Sequence, residues 1–201
     1  MVSSENRTRL TVAPNARQYF AGPASILSQH NGIMFPAQPD IAYSQSVNYS
    51  GYDLVHTNYS FYSYSGTPSP NIQLTAQFIH TTDEEHLYLQ GVLHFLRSVT
   101  KMYYGFGDLE GAAGARSGTP PPVLRFSSFG PTIFNNVPVI IMTVATTFDS
   151  SVDLKEVNGV ALPAVMNISL DLAVQQTPAR QKTQFSKAAF LSGSAYGNGF
   201  I

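Results

Sequence analysis

The chain of 201 residues contains no cysteine and no tryptophan. Without cysteine there is no disulfide framework, no thiolate nucleophile and no sulfur-ligated metal, and the redox compartment is left open. Charge is scarce too. Asp, Glu, Lys and Arg make up 11% of the chain, against roughly 25% in ordinary soluble proteins. A surface this poor in charge is weakly protected against association. It favours a subunit largely covered by other subunits; a β-rich extracellular domain is the alternative. The net charge is −1 and no run of like charge occurs. That excludes a basic nucleic-acid-binding face, but not a face past which nucleic acid slides without sticking. Long hydrophobic runs are also missing. The longest, VPVIIMTVA (137–145), is too short for a membrane helix, and MVSSENRTRL has no apolar segment of the signal-peptide kind. Neither a membrane anchor nor a secretion signal is expected. The Asn-x-Ser/Thr sequons at Asn6, Asn48, Asn58 and Asn167 therefore carry no weight.

What the chain does have is turn residues, aromatics and alternation. Residues 1–40 are punctuated by Pro14, Gly22, Pro23, Gly32, Pro36 and Pro39 and read as an extended arm with one short strand near RLTVA. In IAYSQSVNYSGYDLVHTNYSFYSYS, Val55, Thr57, Tyr59 and Phe61 alternate with polar positions, the pattern of a half-buried strand. NIQLTAQFIH (71–80) alternates cleanly: Ile72, Leu74, Ala76 and Phe78 point one way, Gln73, Thr75 and Gln77 the other. AVMNISLDLAV (164–174) does the same, with Met166, Ile168, Leu170, Leu172 and Val174 on one face and Asn167, Ser169 and Asp171 on the other. VLRFSSF (123–129) reads as a strand. GPTIFNNVPVIIMTVATTF (130–148) reads as a turn at Asn135-Asn136 followed by a β-branched strand. GFGDLEGAAGARSGTPPP (105–122) is a flexible loop by composition, and residues 177–201 are a C-terminal arm.

HTTDEEHLYLQGVLHFLRSVTKMYYG (80–105) holds the one long helical pattern, expected over about 83–103. Thr82 and Glu85 have capping-box spacing, and Asp83 and Glu84 suit the positive end of the helix dipole. Tyr88, Val92, Phe95, Leu96, Val99, Met102 and Tyr103 recur at helical spacing, so Val92, Phe95, Leu96 and Val99 are the residues expected to pack on the sheet. His86 and His94 lie roughly 12 Å apart along the axis and about 80° around it. They cannot share one metal ion as an i, i+4 pair could, and both read as structural.

Other chemistry finds no support in the spacing. There is no phosphate loop, nucleophile elbow or histidine-based zinc motif. GFGDLEG (105–111) has the wrong glycine spacing for a dinucleotide loop and follows a helix rather than a strand. Asp149, Asp153 and Glu156 near Ser150 and Ser151 lack the dense ligation of a calcium loop and read as an acidic turn. The aromatic run YSFYSYS (59–65) could form a carbohydrate platform, but tyrosine-rich strands are more often half-buried sheet. The chain is not expected to be an enzyme or to hold a cofactor or a metal.

The order of these segments resembles the tail-tube and baseplate tube-initiator proteins of contractile-tailed bacteriophages. NIQLTAQFIHTTDEEHLYLQGVLHFLRSVTKMYYG gives a strand, an acidic helix start and a long helix with an aromatic end. PPVLRFSSFGP and IFNNVPVIIMTVATTF give a strand, a glycine turn and a hairpin strand. LPAVMNISLDLAVQQTPARQKTQF gives the late amphipathic strand and an exit segment, and NGIMFPAQPDIAYSQSVNYSGYDLVHTNYSFYSYS resembles the initiator and cap-like members. The likeness spans roughly residues 30–190. It is a likeness of pattern and order, with no short diagnostic signature.

The resemblance implies an α+β, mainly β fold: a tail-tube-like β-barrel or sandwich with one long packed helix and extended arms, in a single domain over 1–201. It implies a homohexameric ring at the junction of baseplate and tube, which initiates tube assembly and lets DNA pass through its lumen. Its partners would be its own copies, tube subunits and baseplate hub proteins, with DNA only in transit. It would be assembled in the host bacterial cytoplasm and reside in the virion. The loop and arms favour an initiator over a tube subunit or terminal cap. A face lining a DNA conduit should be wet and free of cations, because each Lys or Arg contact adds counterion-release affinity. Gln73, Thr75, Gln77, Asn167, Ser169 and Asp171 are the lumen-lining candidates; alternatively these faces meet solvent outside a sandwich. The second functional reading is a tyrosine-rich carbohydrate-binding β-sandwich for host attachment.

Overall fold

Alternation builds the centre of the molecule. In the computed structural model, residues 6–13, 16–104, 118–148 and 151–201 are described. The strands are, in chain order, β1 (Arg9–Val12), β2 (Gly32–Met34), β3 (Asp40–Ser44), β4 (Asn48–Tyr52), β5 (Phe61–Gly66), β6 (Asn71–Ile79), β7 (Leu124–Ser128), β8 (Phe134–Phe148), β9 (Leu154–Val157), β10 (Val160–Pro163) and β11 (Val165–Val174). Seven of them form one sheet in the order β2-β1-β7-β8-β11-β6-β3, while β4–β5 and β9–β10 are separate hairpins. Every pairing is antiparallel. The fold is thus mainly β, with few helices. The resemblance implied a closed barrel or sandwich; among the described residues the main sheet is open, with β2 and β3 at its edges.

Helix α1 (Asp83–Val99) begins where its sequence says it should. The Thr82 hydroxyl accepts from the Glu85 N–H, and Glu85 Oε2 accepts from the Thr82 N–H at 3.0 Å, a complete capping box. The Thr82 and Thr81 N–H groups together hold the Glu85 carboxyl down at about 2. The helix ends at Val99, four residues short of the expected Tyr103. Its last turn is unwound by side-chain competition: Ser98 donates to the His94 carbonyl and Thr100 to those of Leu96 and Arg97. Val92, Phe95, Leu96 and Val99 are all buried, in one cluster with the inward faces of β6 and β11.

Residues 1–40, expected as an extended arm, supply core instead. Strand β1 is an inner strand between β2 and β7, and Leu10, Leu27, Ile33 and Phe35 are buried. Gly22–His30 forms a 3-10 helix lying along α1. Gly91 in α1 makes that approach possible, since a Cβ there would sit 2.9 Å from both Ile26 Cγ2 and the Pro23 carbonyl oxygen. The Tyr88 hydroxyl fastens the layer by donating to the Met34 carbonyl (2.7 Å) and accepting from its N–H (2.9 Å).

The C-terminal arm also folds. It forms α2 (Pro178–Gln184), α3 (Lys187–Leu191) and a 3-10 turn at Ser194–Asn198. Phe185, Phe190 and Phe200 pack ring against ring, and Phe200 is buried. Of the expected loop at 105–122, residues 105–117 lie outside the described residues. Its ends meet where Gly118 N–H donates to the Tyr103 carbonyl and Tyr103 N–H to that of Thr119. The expected turn at Asn135-Asn136 is a bulge within β8, with Asn136 at φ 52; the turn lies earlier, where Phe129 and Gly130 take positive φ.

Two substitutions test this packing. Leu96→Asp buries an unpaired charge at a cost of several kcal/mol and should abolish cooperative unfolding. Gly91→Ala, which raises helix propensity, should nonetheless destabilise by about 1–3 kcal/mol in denaturant titration, because overpacking outweighs propensity.

Candidate functional site

The six polar candidates fall on three consecutive rungs of one ladder. In the β6–β11 register, Asn167 stands opposite Gln77, Ser169 opposite Thr75, and Asp171 opposite Gln73. The Thr75 and Ser169 hydroxyls are 3.5 Å apart. All six are exposed or half-buried, whereas Ile72, Leu74, Phe78, Met166, Ile168 and Leu170 on the reverse face are buried.

The neighbouring strands widen this face. On β8, Thr143 stands opposite Asp171, Ala145 opposite Ser169 and Thr147 opposite Asn167. On β3, Asp40 stands opposite Thr75 and Ala42 opposite Gln73. Strands β3, β6, β8 and β11 together contain no Lys or Arg, and their only charged residues are Asp40 and Asp171. The sequence reading missed the β8 and β3 contributions, although MTVATTF already alternates; the preceding VPVII run masks it. A bulge between Asp171 and Leu172 puts Met142 out of step.

This patch of sheet has open backbone on both sides. Strand β8 pairs with β7 only through Phe134–Val139, and with β11 through Val139–Phe148. Among the described residues, Ile140–Phe148 has no strand on its β7 side. At the other margin β3 covers β6 only at Asn71–Thr75 and is itself an edge. A long uncharged edge is a template for pairing with another chain.

The tyrosine-rich segment is not half-buried. Residues 53–60 form the tip between β4 and β5, and Val55 and Tyr59, expected on an inward face, are 82% and 85% exposed. The residues alternate as a half-buried strand would, but among the described residues no second layer covers them. One face of the hairpin gathers Tyr49, Tyr62 and Tyr64. Tyr49 and Tyr64 meet edge-on with centroids 6.0 Å apart, and the Tyr62 ring lies over Gly51.

Of the two helix histidines, His86 is buried and His94 exposed, so they share no site. His86 instead meets His80 at the end of β6, an i, i+6 neighbour that neither helix nor strand spacing reveals. Beside them a cleft of about 520 Å³ opens at the head of α1, lined among others by His30, His80, Glu84, Glu85 and Tyr88. Glu85 is committed to the helix cap and the Tyr88 hydroxyl to Met34. Among the described residues no group of three or more His, Asp and Glu side chains is placed to hold a metal ion. No described helix is long and apolar enough to cross a membrane.

No protein-family model matches the chain, and no curated protein matches it.

Because Val55 and Tyr59 are exposed at the hairpin tip, Val55→Ser and Tyr59→Ser should each change the unfolding free energy by less than about 0.5 kcal/mol. A larger loss in chemical denaturation would mean that the tip is buried in solution.

Proposed function

We propose that this chain is a structural subunit of a contractile phage tail. Six copies form a ring at the junction of baseplate and tube, initiate the tube, and line the passage for DNA. The observation that carries the proposal is the four-strand patch β8–β11–β6–β3. Its middle is polar, with Ile79 and Met142 exposed at its margins, it lacks any cation, and it is flanked by unpaired strand edges. A surface past which DNA must slide is best without Lys or Arg, because each phosphate neutralised adds salt-dependent affinity. Open edges on both margins let copies join side by side, edge to edge, so that one patch continues into the next. The low charge of the chain and the bare aromatic hairpin suit a subunit covered by neighbours, here tube and baseplate hub proteins. The proposed location is the virion, after assembly in the host cytoplasm.

The hairpin favours a second reading, a carbohydrate-binding module for host attachment, because Tyr49, Tyr62 and Tyr64 present rings on one exposed face. That reading predicts measurable glycan affinity and no ring.

Electron microscopy of the purified protein, or of particles containing it, should show six-fold rings. Cysteine at Ser169 tests which way the patch faces, since no native cysteine competes for the label. In rings, a small maleimide should react and one too bulky for the lumen should not. Both should react with the dissociated chain. Equal labelling of rings by both reagents would put the patch on the outside and remove the lumen assignment.

A further inference from the structure

His80 and His86 are 2% and 0% exposed, and their rings meet edge to face with centroids 4.8 Å apart. His80 Nε2 lies 2.8 Å from the Pro163 carbonyl oxygen. A carbonyl only accepts, so that nitrogen carries a proton. Among the described residues, His80 Nδ1 and both ring nitrogens of His86 lack a hydrogen bond of ordinary length, although the Val160 backbone lies close enough to His86 to favour its charged form. Burial, then His80, then Lys155 push His86 below the ordinary imidazole value, against weaker opposing pulls from the Val160 backbone and Asp83.

The β9–β10 hairpin lies over this pair as a two-stranded sheet of its own. It is anchored by Leu162, which is buried in the core, with Val160 packed beside it, and is fastened to the β6–α1 junction by a few polar contacts. The Pro163 carbonyl takes the His80 proton, and the Lys155 ammonium donates to the Thr81 carbonyl at 2.6 Å and pairs with Asp83 at 3.0 Å. Just beyond β10, the His80 N–H donates to the Ala164 carbonyl. An isolated two-stranded hairpin is marginal in water, so these fastenings decide whether it stays down.

The charges around the pair are already committed or face elsewhere. Asp83 is taken by Lys155, and Glu85 by the Thr81 and Thr82 N–H groups. Glu84 and His30 line the cleft on the His80 side. Glu156 is exposed, next to Lys155 and so on the other side of β9. Among the described residues, a proton arriving on His86 therefore meets an imidazole, an ammonium and the Val160 backbone, with the Asp83 carboxylate already committed to Lys155.

We propose that the His80–His86 pair is an acid-operated latch: protonation of His86 lifts the β9–β10 hairpin off the head of α1, wetting both rings. The unfolded or opened chain takes up this proton near the ordinary value of 6.5, and the closed state takes it up only at lower pH. Closure is therefore fully favoured above about pH 6.5 and is lost as pH falls toward the depressed folded value.

Amide hydrogen exchange on the full chain at pH 7.5 and pH 5.5, corrected for intrinsic rates, tests the latch. Residues 154–164 and 80–86 should exchange up to about tenfold faster at the lower pH, relative to the β6–β11 ladder. His86→Phe, which keeps a ring and removes the proton site, should abolish that difference. Equal protection at both pH values, or a pH response that survives His86→Phe, overturns the proposal. Should the variant not fold, the His86 ring resonances of the native chain decide. A titration midpoint below 6.5 supports the latch, and one at or above 6.5 overturns it.

Discussion

The β6–β11 ladder runs through nine antiparallel pairs without a shift in register, and its two faces could hardly differ more. Side chains alternate across a strand, so a slip of one residue in β6 would carry Ile72, Leu74 and Phe78 out to solvent and bring Gln73, Thr75 and Gln77 inward. Each large apolar side chain so exposed forfeits roughly 1.5–3 kcal/mol, and the buried amides would lack partners. The sum is comparable with the entire stability of a typical domain, about 5–15 kcal/mol. Register is therefore held by solvation, and the rest is arranged around it. The apolar face of α1 and the Gly22–His30 turn lie on the inward side, and the reverse side is left polar.

This dependence explains what could be read directly from the chain. Period two is visible in NIQLTAQFI and VMNISLDLAV because every inward position is apolar and every outward position in the middle is not. The head of α1 is visible because Thr82 and Glu85 act through local bonds that need no tertiary partner. The N-terminal forty residues show only the short strand near RLTVA, present as β1. Leu10, Leu27, Ile33 and Phe35 sit on a four-residue strand, a 3-10 turn, a three-residue strand and a connection, none long enough to establish a period. The same holds for the C-terminal helices of seven and five residues, which have no buried residue of their own and are tied down by Phe185, Phe190 and Phe200 finding one another. The Tyr/Ser alternation at 59–65 misled for the opposite reason. It has the period of a half-buried strand, but burial depends on a covering layer, and a strand's own sequence does not encode one. The candidate patch was half legible: β6 and β11 by period, β3 and β8 only through register.

The outer face of the sheet is divided, and the C-terminal segment makes the division. Arg125 pairs in register with Pro138 on that face. Gly199 comes so close that a Cβ there would lie 2.7 Å from the Asn136 carbonyl oxygen and 3.2 Å from Pro138 Cδ. Gln175 N–H donates to the Pro138 carbonyl, Gln176 to that of Gly199 and Arg180 to that of Asn198. Burial, then the nearby Arg180 charge, make the Arg125 guanidinium less basic than usual. The cations of the sheet, Arg9 and Arg125, thus lie on the β1–β7 half, and Arg125 is partly covered there. The β8–β3 half has none.

That asymmetry bears on the proposed ring. A sheet covered on its whole outer face would leave nothing to line a passage, and one bare throughout would present Arg125 to whatever passed. The C-terminal segment partly covers Arg125, leaves Arg9 exposed, and stops near Pro138, just where β8 leaves its partner β7 and its edge becomes free. The free edge and the cation-free face therefore begin at the same point along β8. In the proposed assembly a neighbouring copy joining at Ile140–Phe148 would extend only the part of the sheet suited to meet DNA. The segment that partly covers Arg125 would lie outside that junction.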